Sequence, residues 1–198
     1  MHPMSESRRE LILASTSPAR RALLEAVGLP FRCVAPEFSE ELPPGLTTPD
    51  LAEALALGKA RSVAQRFPEA LVLGADQLLS VDGELLHKPA DATAAKAQLE
   101  RLRGRMHVLT TGIAILCEKT HALRVEHELT RMTMRMIADD ELERYVATGE
   151  WQGCVGSYRV EGQGLKLFQR VEGDVLNARG LPLVRVLNAL RDLGVALF

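Results

Sequence analysis

The chain has 198 residues, 46% of them hydrophobic and 25% charged, which suits one globular domain or two lobes that share a core. Its formal net charge of −2 excludes the basic surface typical of a nucleic-acid-binding protein, and no apolar run approaches the roughly 20 residues of a membrane-spanning helix. We therefore expect a cytoplasmic protein, with neither nucleic acid nor membrane as a partner, whose three scattered cysteines remain thiols.

The first predicted unit is a strand that leads directly into a helix. Leu11–Ala14 is a short apolar run typical of a buried strand. Ser17 followed by Pro18 is a strong helix start, because serine caps free first-turn amides and proline has no amide hydrogen to leave unpaired. We expect Val27 on the buried face of this helix and Gly28 at its end.

The rest of the chain continues the alternation of strands and helices. The segments PFRCVAPEF, MHVLTTGIAILC and LRVEHELTRMTMRM alternate like strands, the last two as an antiparallel pair, and Asp82-Gly83 is a hairpin signal. The other predicted elements are a helix capped by Thr48 over about Asp50–Phe67, a strand Leu71–Leu73, helices Asp91–Leu102 and Asp139–Thr148, a strand Leu165–Arg170 and a helix Leu181–Leu193. This order predicts an α/β or α+β fold with a mixed sheet, in a single domain over residues 1–198.

Two arginines, Arg20 and Arg21, follow the first helix start. Cations in a first turn oppose the helix dipole, so this placement indicates an anion nearby, and a helix N-terminus after a strand is a natural phosphate site. The alternative is that both arginines lie on the solvated face of the helix. The segment has no Walker-type phosphate loop.

Four isolated charged positions are each open to two interpretations. Asp76, after a buried strand, faces a ligand crevice or merely forms a turn, and Lys59 binds a ligand or extends to solvent. Lys88 and Glu40 are also consistent with surface roles. Together they suggest a polyphosphate held by cations and a divalent cation held by carboxylates: Arg20, Arg21, Lys59 and Lys88 for phosphate, and Asp76 with Glu40 for Mg²⁺ or Mn²⁺.

Ordered segments from about Leu11 to Leu193 resemble the motifs of the Maf family of nucleoside-triphosphate pyrophosphatases. They are LASTSPARRALLEAVGLPF, APEFSEE, ALALGKA, LGADQLLSVDGELLHKP, GSYRVEGQG and EGDVLNARGLPL. The resemblance implies a two-lobed α/β fold with a long curved mixed sheet, similar to inosine-triphosphate pyrophosphatases, with a nucleotide cleft between the lobes. It also implies a cytoplasmic homodimer that uses a divalent cation, with a role in nucleotide-pool sanitation or cell-division arrest.

The resemblance also assigns roles to individual residues. The family's catalytic aspartate falls on Asp76, as general base or as the metal ligand that orients the attacking water, and its acidic residue falls on Glu40. Lys59 and Lys88 complete the expected catalytic set. The expected phosphate-binding residues are Ser15, Ser17, Arg20 and Arg21.

Three positions that tune base choice in the family fall on Ala19, Gln77 and Glu161. Gln77 and Glu161 resemble the 7-methyl-GTP pyrophosphatase branch rather than the dTTP/UTP branch, whereas Ala19 departs from the aromatic residue of that branch. An ionised glutamate only accepts hydrogen bonds, and guanine offers two adjacent donors, so we expect a guanine-type base. The plainer interpretation of Glu161 is a turn residue before Gly162.

Three other functions remain open at this point. They are a non-catalytic nucleotide-binding regulator of septum formation, a dTTP/UTP pyrophosphatase, and another phosphohydrolase such as a monophosphatase. The intact Asp76, Lys59 and Lys88 argue against a pure sensor, and the sequence has no Asp-x-Asp nucleophile motif.

Overall fold

The structure is a computed structural model that describes residues 9–39 and 45–198. Its strands are β1 Leu11–Ala14, β2 Arg32–Cys33, β3 Leu71–Val81, β4 Glu84–Leu86, β5 Met106–Cys117, β6 Ala122–Met134 and β7 Phe168–Gly173. In the described part of the chain they form one seven-stranded sheet in the order β2-β1-β3-β5-β6-β7, with β4 also on β3. Strand β1 is parallel to both neighbours and the remaining pairs are antiparallel, so the predicted mixed sheet is confirmed.

Helices flank this sheet on both faces. They are α1 Pro18–Ala26, α2 Thr48–Ala64, α3 Ala92–Leu102, α4 Asp139–Ala147, α5 Val175–Ala178 and α6 Leu183–Asp192, with 3₁₀ turns at Val155–Ser157 and Gln163–Leu167. Among the residues that the structure describes, no helix is long and apolar enough to cross a bilayer.

Local sequence signals predicted most of the element starts correctly. Ser17 caps α1, Asp91 caps α3, and Asp82-Gly83 turns the hairpin with both residues at positive φ. Gly28 ends the first helix in the left-handed conformation, as expected. These signals act through hydrogen bonds and backbone geometry within a few residues, so they depend little on tertiary context.

Several predicted boundaries were wrong at positions where tertiary contacts determine how far an element extends. Thr47 rather than Thr48 caps α2, and Val27 is 39% exposed rather than buried. The short strand predicted to end at Leu73 continues to Val81, because β5 pairs with it along most of that length. The strand predicted from Leu165 begins only at Phe168.

Two glycines allow α2 to lie directly on the sheet. A Cβ atom at Gly74 of β3 would lie 2.2 Å from the carbonyl oxygen of Ala56, and one at Gly112 of β5 would lie 2.2 Å from that of Ala52. Such distances are impossible for real side chains, so only glycine permits this approach. The close packing fixes α2, and with it Lys59, over the middle of β3.

Candidate active site

A cleft of about 410 Å³ opens beside an uncovered stretch of β3. Strand β1 pairs with Leu71–Gly74 and β4 pairs with Leu79–Val81, which leaves Ala75–Leu78 without a strand on that edge. Asp76 and Gln77 point to opposite faces of the sheet, yet both border the cleft because this edge is open. The crevice that the sequence predicted at a strand end is therefore made by the end of β1, not of β3.

Asp76 and Lys59 form an ion pair at the floor of the cleft. Lys59 Nζ donates to Asp76 Oδ1, and the two side chains are only 17% and 15% exposed, respectively. Lys59 therefore does not extend to solvent, because Gly74 brings α2 close enough for its ammonium group to reach the carboxylate. The sequence proposed a site that contains both residues, and the structure brings them together.

Arg20 joins the two sides of the cleft. Its Nε donates to the carbonyl oxygen of Gly180 at 2.9 Å, and its Nη1 donates to that of Ala75, on the open edge of β3, at 2.8 Å. Burial lowers the pKa of the Arg20 guanidinium, and the nearby Asp76 carboxylate opposes this effect. Two of its five N–H donors are thus used by the fold, and the others remain for an anion.

Arg21 lies outside the cleft, which corrects the predicted pair of phosphate-binding arginines. It points from the outer face of α1, is 63% exposed, and pairs with Glu25 one turn later at 2.7 Å. The hydrogen bond that Arg21 donates to Glu25 raises the pKa of Arg21. Successive helix residues are about 100° apart, so only one of two adjacent arginines can face the cleft.

The Ser15–Ser17 turn borders the cleft but uses several of its own polar groups. The Ser17 amide donates to Ser15 Oγ at 3.1 Å, and the Arg20 amide donates to Ser17 Oγ at 3.4 Å. Fewer backbone amides of this turn are therefore free to bind phosphate than the sequence predicted. Lys88 borders the cleft from an exposed position after β4, and Glu40 lies outside the described residues. We call Ser15, Ser17, Arg20, Lys59, Asp76 and Lys88 the phosphate wall.

The residues expected to select the base also lie at this cleft. Ala19, Gln77 and Glu161 all border it. The Gln77 amide nitrogen donates to Thr111 Oγ1 at 3.0 Å and to the Asn177 carbonyl at 2.7 Å, which fixes its orientation and leaves its oxygen as an acceptor. Glu161 lies 3.8 Å from Arg159, measured from Oε1 to Nε.

Sequence reasoning missed three further residues that border the cleft: Tyr158, Arg159 and Arg179. Tyr158 is held from below by buried His107, whose Nε2 is 2.7 Å from the tyrosine hydroxyl. Burial lowers the pKa of His107 to about 4. The only sequence signal for the two arginines was their place inside glycine-containing motifs. We call Ala19, Gln77, Tyr158, Arg159, Glu161 and Arg179 the base wall.

One carboxylate on the phosphate wall bears on metal binding. Among the described residues, no group of three or more His, Cys, Asp or Glu side chains is placed to hold a metal ion. Mg²⁺ in nucleotide sites typically takes one or two carboxylates and completes its shell with phosphate oxygens and water. A carboxylate such as Asp76 therefore fits an ion that brings phosphate oxygens as its other ligands.

These features define an α/β protein with a cleft bordered by several cations and by the largely buried ion pair of Asp76 with Lys59. The chain belongs to the Maf-like protein family, whose pattern matches residues 10–193. It is 40% identical to a dTTP/UTP pyrophosphatase of Pelotomaculum thermopropionicum over 94% of this chain and 97% of that protein. It is 41% identical to a 7-methyl-GTP pyrophosphatase of Aromatoleum aromaticum over 95% of this chain and 97% of that protein. The solved structure of the Staphylococcus aureus Ham1 protein is similar over 66% of this chain and 73% of its own, with 18% identity and a TM-score of 0.47.

Proposed function

We propose that this protein hydrolyses guanine-type nucleoside triphosphates, GTP or 7-methyl-GTP, to the nucleoside monophosphate and pyrophosphate. The reaction class is that of its relatives, which are nucleotide pyrophosphatases of both base preferences. The observation that carries the proposal is the Asp76–Lys59 pair at the floor of a cleft bordered by further cations.

The phosphate wall supports attack of water on the α-phosphorus. Asp76 Oδ1 is held by Lys59, so Oδ2 is the oxygen that can hold the water and accept its proton. As the water oxygen bonds to the α-phosphorus, the bond to the bridging oxygen breaks and pyrophosphate leaves with that electron pair. Arg20, Lys59 and Lys88 supply positive charge where negative charge develops.

A divalent cation would be held by Asp76 and the substrate phosphates. When bound, such an ion neutralises phosphate charge and makes a coordinated water easier to deprotonate. Glu40 remains a predicted second ligand. The protein's own contribution is to fix the Asp76 carboxylate, through Lys59, against the open edge of β3.

The base wall supports a guanine-type base. Glu161 presents a carboxylate, and Gln77 presents a carbonyl oxygen because both hydrogens of its amide are already donated. These two residues therefore offer hydrogen-bond acceptors. Guanine has two adjacent donors, its ring N1–H and its 2-amino group, whereas uracil and thymine have one donor flanked by acceptors. The acceptors of Glu161 and Gln77 thus match guanine better than they match a pyrimidine.

A substrate panel on the purified protein tests this proposal. We expect the highest kcat/KM among GTP, 7-methyl-GTP, UTP and dTTP to belong to a guanine nucleotide, with pyrophosphate as product in the presence of Mg²⁺ or Mn²⁺. Preference for UTP or dTTP would refute the guanine assignment and leave the reaction intact. Nucleotide binding without any pyrophosphate release would instead support the non-catalytic regulator.

A further inference from the structure

Arg179 is a cleft residue whose charge the fold does not use. Its side chain borders the cleft, and its Nε is buried without an acceptor among the described residues. No ion pair or hydrogen bond of its guanidinium to the described residues is present either. A buried unpaired donor destabilises the folded protein, so this arrangement is unfavourable unless something else is gained. Arg20, by contrast, is fixed by two carbonyl oxygens.

The backbone around Arg179 is held tightly in place. The Gly180 amide donates to the Asn177 carbonyl at 2.8 Å, and the Arg179 amide donates to that of Leu176 at 3.0 Å. Gln77 binds the same Asn177 carbonyl from β3, and Arg20 binds the Gly180 carbonyl from α1. The backbone of the turn that carries Arg179 is therefore fixed from both sides, and its side chain borders the cleft.

These contacts join the turn that carries Arg179 to Gln77, one of the positions to which base selection was assigned, and to Arg20. Ala19, the residue before Arg20, borders the same cleft and carries only a methyl group. A planar guanidinium packs well against the flat face of a base.

We propose that Arg179 is a specificity-determining residue whose guanidinium packs against the base and favours neutral guanine over 7-methylguanine. Methylation at N7 gives the guanine ring a formal positive charge. A cation against the neutral ring is attractive, whereas a cation against a cationic ring is repulsive, more so in a partly desolvated cleft. This inference rests on the proposed guanine preference, and it predicts that GTP is the better substrate of the two.

Binding and turnover of matched nucleotide pairs test the role of Arg179. The variant Arg179→Ala is compared with Arg179→Lys, which keeps the charge without the plane, and with Arg21→Ala, an arginine outside the cleft. Calorimetry with GMP and 7-methyl-GMP isolates the base from the triphosphate, and kcat/KM with GTP and 7-methyl-GTP follows. We expect Arg179→Ala to lower the preference for the neutral base about tenfold in both assays, with Arg179→Lys between it and the wild type.

The outcomes separate this inference from the proposed function. An equal loss for both bases would mean that Arg179 binds phosphate, and no loss would mean that it is idle; either overturns the inference while guanine preference stands. Preference of the wild type for UTP or dTTP overturns the proposed function alone if Arg179→Ala still shifts the ratio between the two guanine bases. An unchanged ratio for Arg21→Ala, together with unaltered circular dichroism of all variants, shows that the effect is local.

Discussion

The two walls of the cleft are built differently. On the phosphate wall, the charged groups pair with each other or with backbone carbonyls, as Lys59 does with Asp76 and Arg20 with Ala75 and Gly180. On the base wall, Gln77 is fixed by hydrogen bonds, whereas the Nε of Arg179 is buried without an acceptor among the described residues. The proposed chemistry thus rests on groups that the fold holds in place, whereas the proposed base selection rests partly on a side chain that the fold does not hold.

Loss of the Asp76 carboxylate should have the largest effect. We expect Asp76→Asn to lower kcat by about a thousand-fold or more for every nucleotide, because the amide cannot accept the proton of the attacking water. Steady-state kinetics at saturating metal, with circular dichroism as the check on folding, measure this. The control is Asp82→Asn, in the exposed hairpin turn, where asparagine suits the positive φ. Near-normal activity of Asp76→Asn would remove Asp76 from the mechanism.

Substitutions of the adjacent residues Arg20 and Arg21 should differ sharply in their effects on activity. Arg20→Met should lower kcat/KM about a hundred-fold and destabilise the fold, because it removes charge from the phosphate wall and leaves two carbonyls unpaired. Arg21→Met should change activity by no more than about twofold, since the exposed Arg21–Glu25 pair is screened by solvent. Kinetics and thermal unfolding of both variants give the comparison. Equal losses would mean that the first turn of α1 acts as a unit.

Lowering the pH should destabilise the protein through buried His107, which contacts Tyr158 of the base wall. His107 binds a proton less readily in the folded protein, where its pKa is about 4, than in the unfolded chain, where it is near 6.5. Its contribution to stability is therefore complete above about pH 6.5 and falls as the pH approaches 4, by about 2 kcal/mol at pH 5. Urea unfolding at several pH values measures this loss.

The variant His107→Gln should lack this part of the pH dependence. The matched control is His121→Asn at the exposed turn between β5 and β6, where asparagine suits the positive φ. This control should keep the wild-type slope between pH 7 and pH 5, to within about 0.5 kcal/mol. A wild-type slope that persists in His107→Gln would assign the acid sensitivity to another group.

Substitution on the base wall should change selectivity more than rate. We expect Glu161→Gln to lower kcat/KM about tenfold for the guanine nucleotides and to alter that for UTP little, because an amide cannot accept from both guanine donors at once. Glu172→Gln, on the exposed strand β7, is the control. An equal loss for all bases would place Glu161 among the residues that hold phosphate or metal.

The two walls also differ in how far the sequence predicted them. Ser17, Lys59 and Asp76 were found from a cap, an apolar helix segment and a buried run, all local patterns. Which of Arg20 and Arg21 faces the cleft depends on how α1 is rotated about its axis relative to β3. That rotation is set by the packing of the buried face of α1, which the local sequence does not show. Arg159 and Arg179 had no periodic pattern around them, since glycine-containing turns set their directions.

The open edge of β3 shows the same limit. The sequence placed Asp76 after a strand end, but the relevant end belongs to β1, which pairs with β3 from far away in the chain. Strand pairing of this kind is decided by long-range contacts that no local window contains. Asp76 therefore borders the cleft as predicted, but for a different reason from the one that the sequence suggested.

The most direct test of the mechanism is hydrolysis of GTP in water labelled with heavy oxygen. Because Asp76 is proposed to direct water to the α-phosphorus, mass spectrometry should find the label in GMP and none in pyrophosphate after one turnover. Label in the pyrophosphate, or release of GDP and phosphate, would place the attack at another phosphorus and contradict the geometry assigned to the phosphate wall.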